Sequence, residues 1–221
     1  LGSRALGTVD LAMPHRPLLE NGRVSLEVIR PSHAAELELL LRENRRWLQP
    51  WEASHPSGLG AVPGSTSMKP SIKSMRAAWK RGTGLPFVIR YDHRVVGQLS
   101  VSEISGGALR SCQIGYWVSE SVAGRGVTPT AVALVTDYLL GTRGLHRVEI
   151  CIRPENQASL RVVEKLGFRH EGRRERYIFI DGAWRDHECF ALTSEETRDG
   201  VVSRIVAGVR RADPNPDAPT P

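Results

Sequence analysis

The chain has 221 residues, of which 40% are hydrophobic and 24% charged, enough apolar material for one core and too balanced a composition for a disordered or fibrous protein. No window approaches the ~18 uninterrupted apolar residues of a membrane-spanning helix, and Leu1 to Arg16 shows no basic region, apolar run and cleavage site in the order of a signal peptide. Thirty Lys and Arg against 24 Asp and Glu leave a net charge of +6, which suits an acidic partner such as nucleic acid or a multiply phosphorylated cofactor, and equally an ordinary basic surface.

Residues 1–19 read as an N-terminal extension, with Met13 a candidate start. Arg23 to Ile29 alternates Val24, Leu26 and Val28 on one face and reads as a strand ended by Pro31. Ser32 is then placed to cap an amphipathic helix running to Leu48. From Pro50 to Pro70 the composition turns to Pro, Gly and Ser around Trp51, a long loop of the kind that carries function inside a compact domain. Ser71 opens a shorter helix with Ile72, Met75 and Trp79 on one side. Phe87 to Tyr91 and Val95 to Val101 form a hairpin through Asp92-His93, and Ser111 to Val118 is the next strand.

The second half alternates differently. Thr128-Pro129 opens an apolar helix reaching Gly141, Val148 to Ile152 is a short buried strand, and Ala158 to Leu166 is a helix stopped by Gly167. Strand, helix, strand, helix requires a parallel crossover. Arg173 to Ile180 and Trp184 to Leu192 flank Asp181-Gly182, the strongest hairpin signal in the chain, and Thr193 with Glu196 has the spacing of a capping box for a last helix through Val206. Residues 211–221, rich in proline, are expected to be a disordered tail. One mixed α/β domain over residues 20–210 accounts for the pattern.

Three cysteines, Cys112, Cys151 and Cys189, sit in strand-like runs and not in paired spacings, so we expect free thiols in a reducing cytoplasm. The seven histidines are scattered without ligand spacing, and no metal site is expected. The candidate for chemistry is Ala123-Gly124-Arg125-Gly126-Val127-Thr128-Pro129, between a strand end and a helix start. Glycines there let backbone approach a ligand closely, while amides at a helix N-terminus favour an anion such as pyrophosphate. A Walker loop is excluded because Gly-Lys-Ser/Thr is missing, and a Rossmann fingerprint because Pro129 stands where its third glycine belongs.

Several spaced motifs now coincide in order: Ile114-Gly115-Tyr116-Trp117-Val118, Gly124-Arg125-Gly126-Val127-Thr128, Asn156-Gln157-Ala158-Ser159, Glu164-Lys165-Leu166-Gly167-Phe168, Glu171-Gly172 and Arg185-Asp186-His187. Together they resemble the GNAT N-acetyltransferase superfamily, specifically its RimJ/RimL branch, over most of residues 20–193. The resemblance implies a central mixed sheet of six to seven strands, splayed at a parallel pair and flanked by helices. It implies acetyl-CoA as cosubstrate, with the pyrophosphate held by Ala123, Gly124, Arg125, Gly126, Val127 and Thr128. The pantetheine arm would lie along Tyr116, Trp117 and Val118, and Asn156 and Ser159 would hold it and place a hydroxyl near the thioester sulfur. Ala123 departs from the family's Gln or Arg, and Thr128 from its Gly or Ala.

Where family members often carry Glu as base, this chain has Gln113, which accepts no proton at neutral pH. Glu103 is the substitute by position, with Glu175 and Tyr177 as further candidates. The resemblance suggests a protein N-terminus as acceptor, that of a small-subunit ribosomal protein. The alternatives are a small amine such as a polyamine, aminoglycoside or amino acid derivative, and, in another class, a ribosome- or RNA-binding module without turnover. No aromatic RNA-binding signature supports direct nucleic-acid binding. Trp47, Trp51 and Trp184 are candidates to line an acceptor groove, and Arg169, Arg173, Arg174 and Arg176 could meet phosphate or form a solvated face with Glu171 and Glu175.

Overall fold

The computed structural model describes residues 16–58 and 62–207, without the side chains of the last two; residues 1–15 and 208–221, including most of the anticipated extension and the whole anticipated tail, lie outside the described residues. Alternation of Val24, Leu26 and Val28 inward and Ser25 and Glu27 outward builds β2 (Val24–Val28), as the period of two dictates. It is preceded by a strand the sequence reading did not anticipate, β1 (Leu18–Asn21), paired antiparallel to β2 from Leu18↔Glu27 to Asn21↔Val24. Then follow β3 (Leu85–Tyr91), β4 (Arg94–Ser102), β5 (Ser111–Val118), β6 (Arg147–Ile152), β7 (Arg169–Ile180) and β8 (Ala183–Thr193). One eight-stranded sheet in the order β1-β2-β3-β4-β5-β6-β8-β7 results, one strand larger than the upper end of the expectation.

The Asp92-His93 and Asp181-Gly182 turns close the β3–β4 and β7–β8 hairpins, with φ of 49° and 66° at the first and 48° and 76° at the second. Positive φ at both central residues matches the right-handed twist of the flanking strands. Pairing is antiparallel everywhere except between β5 and β6, where only Ser111↔Arg147, Cys112↔Val148 and Gln113↔Glu149 are in register. Beyond Gln113 the two strands part.

Helices cover both faces. On one, α4 (Val127–Asp137) buries residues nearly all round its axis, including Ala131, Val132 and Val135, against β1, β2, β5 and α5 (Gln157–Lys165). On the other, α1 (Ala34–Glu43) and α3 (Lys69–Lys80) enclose Ile29, Leu37, Ile72, Val88 and Val95. Val88 faces this second cluster while Phe87 and Ile89 face the first, so β3 is buried on both sides.

The first helix differs from its sequence reading. Pro31–His33 form a single 3₁₀ turn before it, the position assigned to Ser32 is not a cap, and the helix ends at Glu43. Asn44 breaks it because its side chain is used elsewhere. Its Oδ1 accepts from Ser119 Oγ at 3.1 Å and from the Glu120 amide at 2.9 Å, while Nδ2 donates to the Leu40 carbonyl at 2.9 Å. A one-turn helix, α2 (Arg45–Leu48), then leads to a 3₁₀ turn at Gln49–Trp51. The capping box at Thr193 and Glu196 exists, but it serves a 3₁₀ turn, Ser194–Thr197, and the last helix, α6 (Ser203–Ala207), starts separately beyond Gly200.

Candidate active site

The parting of β5 and β6 leaves a cleft of about 190 Å³, lined among others by Gly115, Tyr116, Ile150, Cys151, Asn156, Ser159 and His187. A second lobe of about 230 Å³ runs over β4 and β5 between Gln98, Ser100 and Trp117 on the floor and Leu48, Glu52 and Ala53 on the side. The lobes share Trp51, Ala53, Gly115 and Tyr116. Gly115 keeps this junction open, since a Cβ there would meet nothing within 4 Å.

The roof comes from the start of the anticipated long loop. Ala53 bridges Ile180, the Ser54 amide donates to the Phe179 carbonyl at 3.0 Å, and Arg153 reaches from the end of β6 to the Pro50 carbonyl at 2.6 Å. The Arg153 guanidinium also lies over the Trp51 ring, 5.4 Å from its centroid. Trp51 is thereby fixed over the cleft. Trp47 instead donates its indole N–H to the Val118 carbonyl at 3.1 Å, and Trp184 is exposed with its ring edge against Phe179. Of the three tryptophans proposed for a groove, Trp51 alone lines either lobe.

At the helix end of β5, Gly124 and Gly126 take φ of 75° and 78°, conformations that a side chain makes costly. Gly126 is the N-cap of α4, and its carbonyl accepts from both the amide and the hydroxyl of Thr130. The first-turn amides of Val127 and Thr128 have no intrahelical acceptor, so the loop offers donors and the positive end of a helix dipole to an anion. Ala123 and Arg125 are exposed, and a Cβ at either glycine would point into open space. The cradle therefore fits a pyrophosphate.

The Asn156–Ser159 segment separates two roles that sequence alone leaves merged. Asn156 is the N-cap of α5, its Oδ1 accepting from the Ser159 amide at 3.1 Å. The hydroxyl of Ser159 takes no part in capping and lies by Tyr116. The Tyr116 hydroxyl is buried and has no partner of hydrogen-bond geometry. Burial pushes this phenol up to about 12, while Ser159 acts in the opposite direction. A buried donor without a protein acceptor, at the mouth of a gap between unpaired strands, suits a polar ligand arm.

The acid and base candidates sort clearly. Glu103 is exposed at φ 53° just past β4, among the residues of neither lobe, and Glu175 is exposed on β7. The geometry supports neither of them at the junction. Tyr177 accepts from Arg174 at 3.0 Å and from Gln113 Nε2 at 3.3 Å. Glu149, beside them, is held by Arg147 at 2.9 Å and Arg174 at 2.7 Å. The Cys151 and Cys189 sulfurs lie 2.9 Å apart on directly opposed residues of β6 and β8, as free thiols. Glu149, Cys151 and Cys189 place three donor atoms within 4.8 Å of one another. Two guanidinium groups occupy the carboxylate there.

Three arginines of the cluster, Arg169, Arg173 and Arg174, are spent on ion pairs. Arg169 meets Glu171 and Glu196, Arg173 meets Glu188 at 2.6 Å, and Arg174 meets Glu149. Hydrogen bonding from Arg147 holds the Glu171 carboxyl down to about 2, against the opposing effect of its partial burial.

A sheet opened at its parallel pair, with a glycine loop leading into a buried helix beside the gap, defines a transferase that draws its acyl group from a CoA thioester. The acetyltransferase (GNAT) domain family matches residues 23–169, and the chain belongs to that family. Within it the chain is of the RimJ/RimL type, an acetyl-CoA-dependent N-acetyltransferase. It is similar to Mycobacterium smegmatis RimJ in complex with CoA-disulfide at 37% identity and a TM-score of 0.79, over 87% of this chain and 93% of that one. It is 28% identical over 190 residues to the [ribosomal protein uS5]-alanine N-acetyltransferase of Escherichia coli strain K12, covering 82% of this chain and 93% of that protein. A probable N-acetyltransferase of Bacillus subtilis strain 168, YjcK, is 38% identical over 105 residues, which span 48% of this chain and 58% of YjcK. No helix among the described residues is long and apolar enough to cross a membrane.

Proposed function

We propose that the chain acetylates the N-terminal α-amine of a protein, with a small-subunit ribosomal protein as the substrate that the likeness to the uS5-alanine enzyme suggests. One observation carries this reading: the open lobe over β4 and β5 meets the gap beside Ser159 at Gly115 and Tyr116, so an extended chain end can bring its amine to a thioester lying in the gap. Amides of Gly126, Val127 and Thr128 hold the cosubstrate's pyrophosphate. The unpaired edges of β5 at Tyr116–Val118 and of β6 satisfy the amides of its pantetheine arm as an added strand would.

An α-amine has a reference pKa of roughly 7.7 to 8.0, against about 10.4 for lysine, so an appreciable fraction is neutral at cellular pH and modest base assistance suffices. Thiol release from acetyl-CoA, followed with N-terminal peptides, lysine peptides and small amines, tests the reading. Turnover confined to N-terminal peptides supports it, and turnover confined to polyamines or another small amine replaces it.

Ser159 stands to protonate the departing thiolate. Because Asn156, not the serine hydroxyl, caps α5, Ser159→Ala should leave the melting temperature and acetyl-CoA affinity near wild type while kcat falls about 10-fold, a modest loss since thiolate is a good leaving group. Asn156→Ala should show the reverse on stability, losing about 1 kcal/mol as the cap is removed. Melting, titration and single-turnover kinetics on both variants check the assignment. Unchanged kcat in Ser159→Ala would remove the acid role.

A further inference from the structure

We propose that His187, on β8, is the general base of the transfer, its Nε2 taking the proton that the acceptor nitrogen sheds as it bonds to the acetyl carbon. This rests on the reading of the cleft as the meeting place of amine and thioester. It goes beyond that reading by assigning the role that Gln113 leaves vacant.

His187 is 3% exposed and lines the gap together with Tyr116, Cys151, Asn156 and Ser159. Its Nδ1 lies 3.0 Å from the Arg185 carbonyl. A carbonyl can only accept, so Nδ1 carries the proton and the neutral ring has its lone pair on Nε2. That is the tautomer a base requires.

The ring is also held in place. Three residues of β7, Glu175, Arg176 and Tyr177, are looped out opposite Asp186, between the pairs Arg174↔His187 and Ile178↔Arg185. The Arg176 amide donates to Asp186 Oδ1 at 2.8 Å, which fixes this bulge, and it carries Tyr177 over His187 with the rings edge to face at 5.7 Å and 79°. Bulges beside active sites aim side chains in this way.

His170 pairs with the Glu188 carboxylate at 2.7 Å and His146 with that of Glu195 at 3.1 Å. Among the described residues His187 has no carboxylate within ion-pair distance. Around it stand Cys151 from β6, Arg153 and Glu155 just beyond β6, Arg174 and Tyr177 from β7, and Arg185 and Asp186 on its own strand. Burial is the main cause lowering its pKa below the usual histidine value, with Arg153 adding to it; the Arg185 carbonyl, Asp186 and Glu155 oppose. The ring is therefore neutral at pH 7.

The step balances without a further reactant. The amine lone pair forms the C–N bond, which makes the nitrogen cationic and acidic. Nε2 takes one proton from it, the C–S electron pair leaves with sulfur, and the thiolate is protonated by Ser159 or water. The imidazolium returns its proton to solvent.

The test is His187→Asn, whose amide can still donate to the Arg185 carbonyl from near the Nδ1 position but has no basic nitrogen. With whichever amine the wild type accepts, kcat at pH 7 should fall about 100-fold, the usual scale for a lost general base, at unchanged acetyl-CoA affinity. Wild-type kcat should decline as pH falls through a value below 6.5, where the ring protonates, and the variant should lack that limb. Nitrogen NMR of the ligand-free wild type should show Nδ1 protonated and Nε2 titrating at the kinetic value. A retained limb, a loss of less than about 3-fold, or a ring protonated on Nε2 would each overturn the proposal, the last independently of whether the variant folds. A wild type active on amines other than N-terminal peptides would correct the acceptor and leave this test standing.

Discussion

Gly126→Glu is expected to remove acetyl-CoA binding almost entirely, by at least about 100-fold in calorimetric Kd, while the protein still folds. Two costs coincide at one backbone position. Gly126 holds φ 78°, where a side chain costs on the order of 1–2 kcal/mol, and that strain falls on the folded protein. The larger effect falls on the ligand. A Cβ at Gly126 points into open space, so the carboxylate projects over the free amides of Val127 and Thr128, the place an anion would occupy. Gly126→Ala serves as the control, carrying the strain without the charge. Wild-type affinity in the glutamate variant would show that the phosphates bind elsewhere. Thr128→Ala, which restores the family's small residue at the helix start, should be tolerated.

Gly97→Ala should be the most damaging small substitution for stability, lowering it by about 3 kcal/mol or more, at the upper end of the range for overpacking. A Cβ on Gly97 would sit 2.2 Å from the Trp117 carbonyl oxygen and 2.9 Å from the Val118 Cα. Both are backbone atoms of β5 and neither can rotate away. The strands must separate at Gly97↔Val118, next to the Ser119 amide that donates to Val96 at 2.7 Å. That junction also fixes the exit of β5 toward the glycine loop, so acetyl-CoA affinity should fall with stability. Urea unfolding measures the first effect, and a midpoint near wild type would mean the strands are not in such close approach.

Local signals carried much of this architecture. Asp92-His93 and Asp181-Gly182 announce their turns because positive φ is a property of a few residue types, and β5 appears at its exact bounds, Ser111–Val118. Where the sequence misled, the cause was a distant partner. Nothing near Asn44 says that its amide will bond to Ser119 and Glu120, some 75 residues away, and so end the helix. Leu18–Asn21 is too short to display alternation, and it becomes a strand because β2 offers it an edge. The turn into α4 was legible from Gly124 and Gly126, which take the positive φ that glycine favours. The base was not legible, because a base is defined by enclosure and tautomer. Glu103 has the right chemistry and an exposed position, whereas His187 looks like a motif residue until the Arg185 carbonyl and the Tyr177 ring are placed around it.

The three residue pairs that join β5 to β6 have a consequence for how the molecule opens. On one side of that seam β1 to β5 form a continuous antiparallel group in chain order, and on the other β6, β8 and β7 form a second antiparallel group. Each group holds a nearest-neighbour hairpin that can zip up early, β3–β4 in the first and β7–β8 in the second, while the seam joins strands separated by the whole of α4 and closes late. Apart from the seam, α4 is the main fastening, lying across β1, β2 and β5 and against α5. Amide exchange should therefore divide the protein into two cooperative units, with the seam opening before either. An arm lying between Tyr116–Val118 and β6 would act as a removable stitch, so acetyl-CoA should slow exchange most along these two strands.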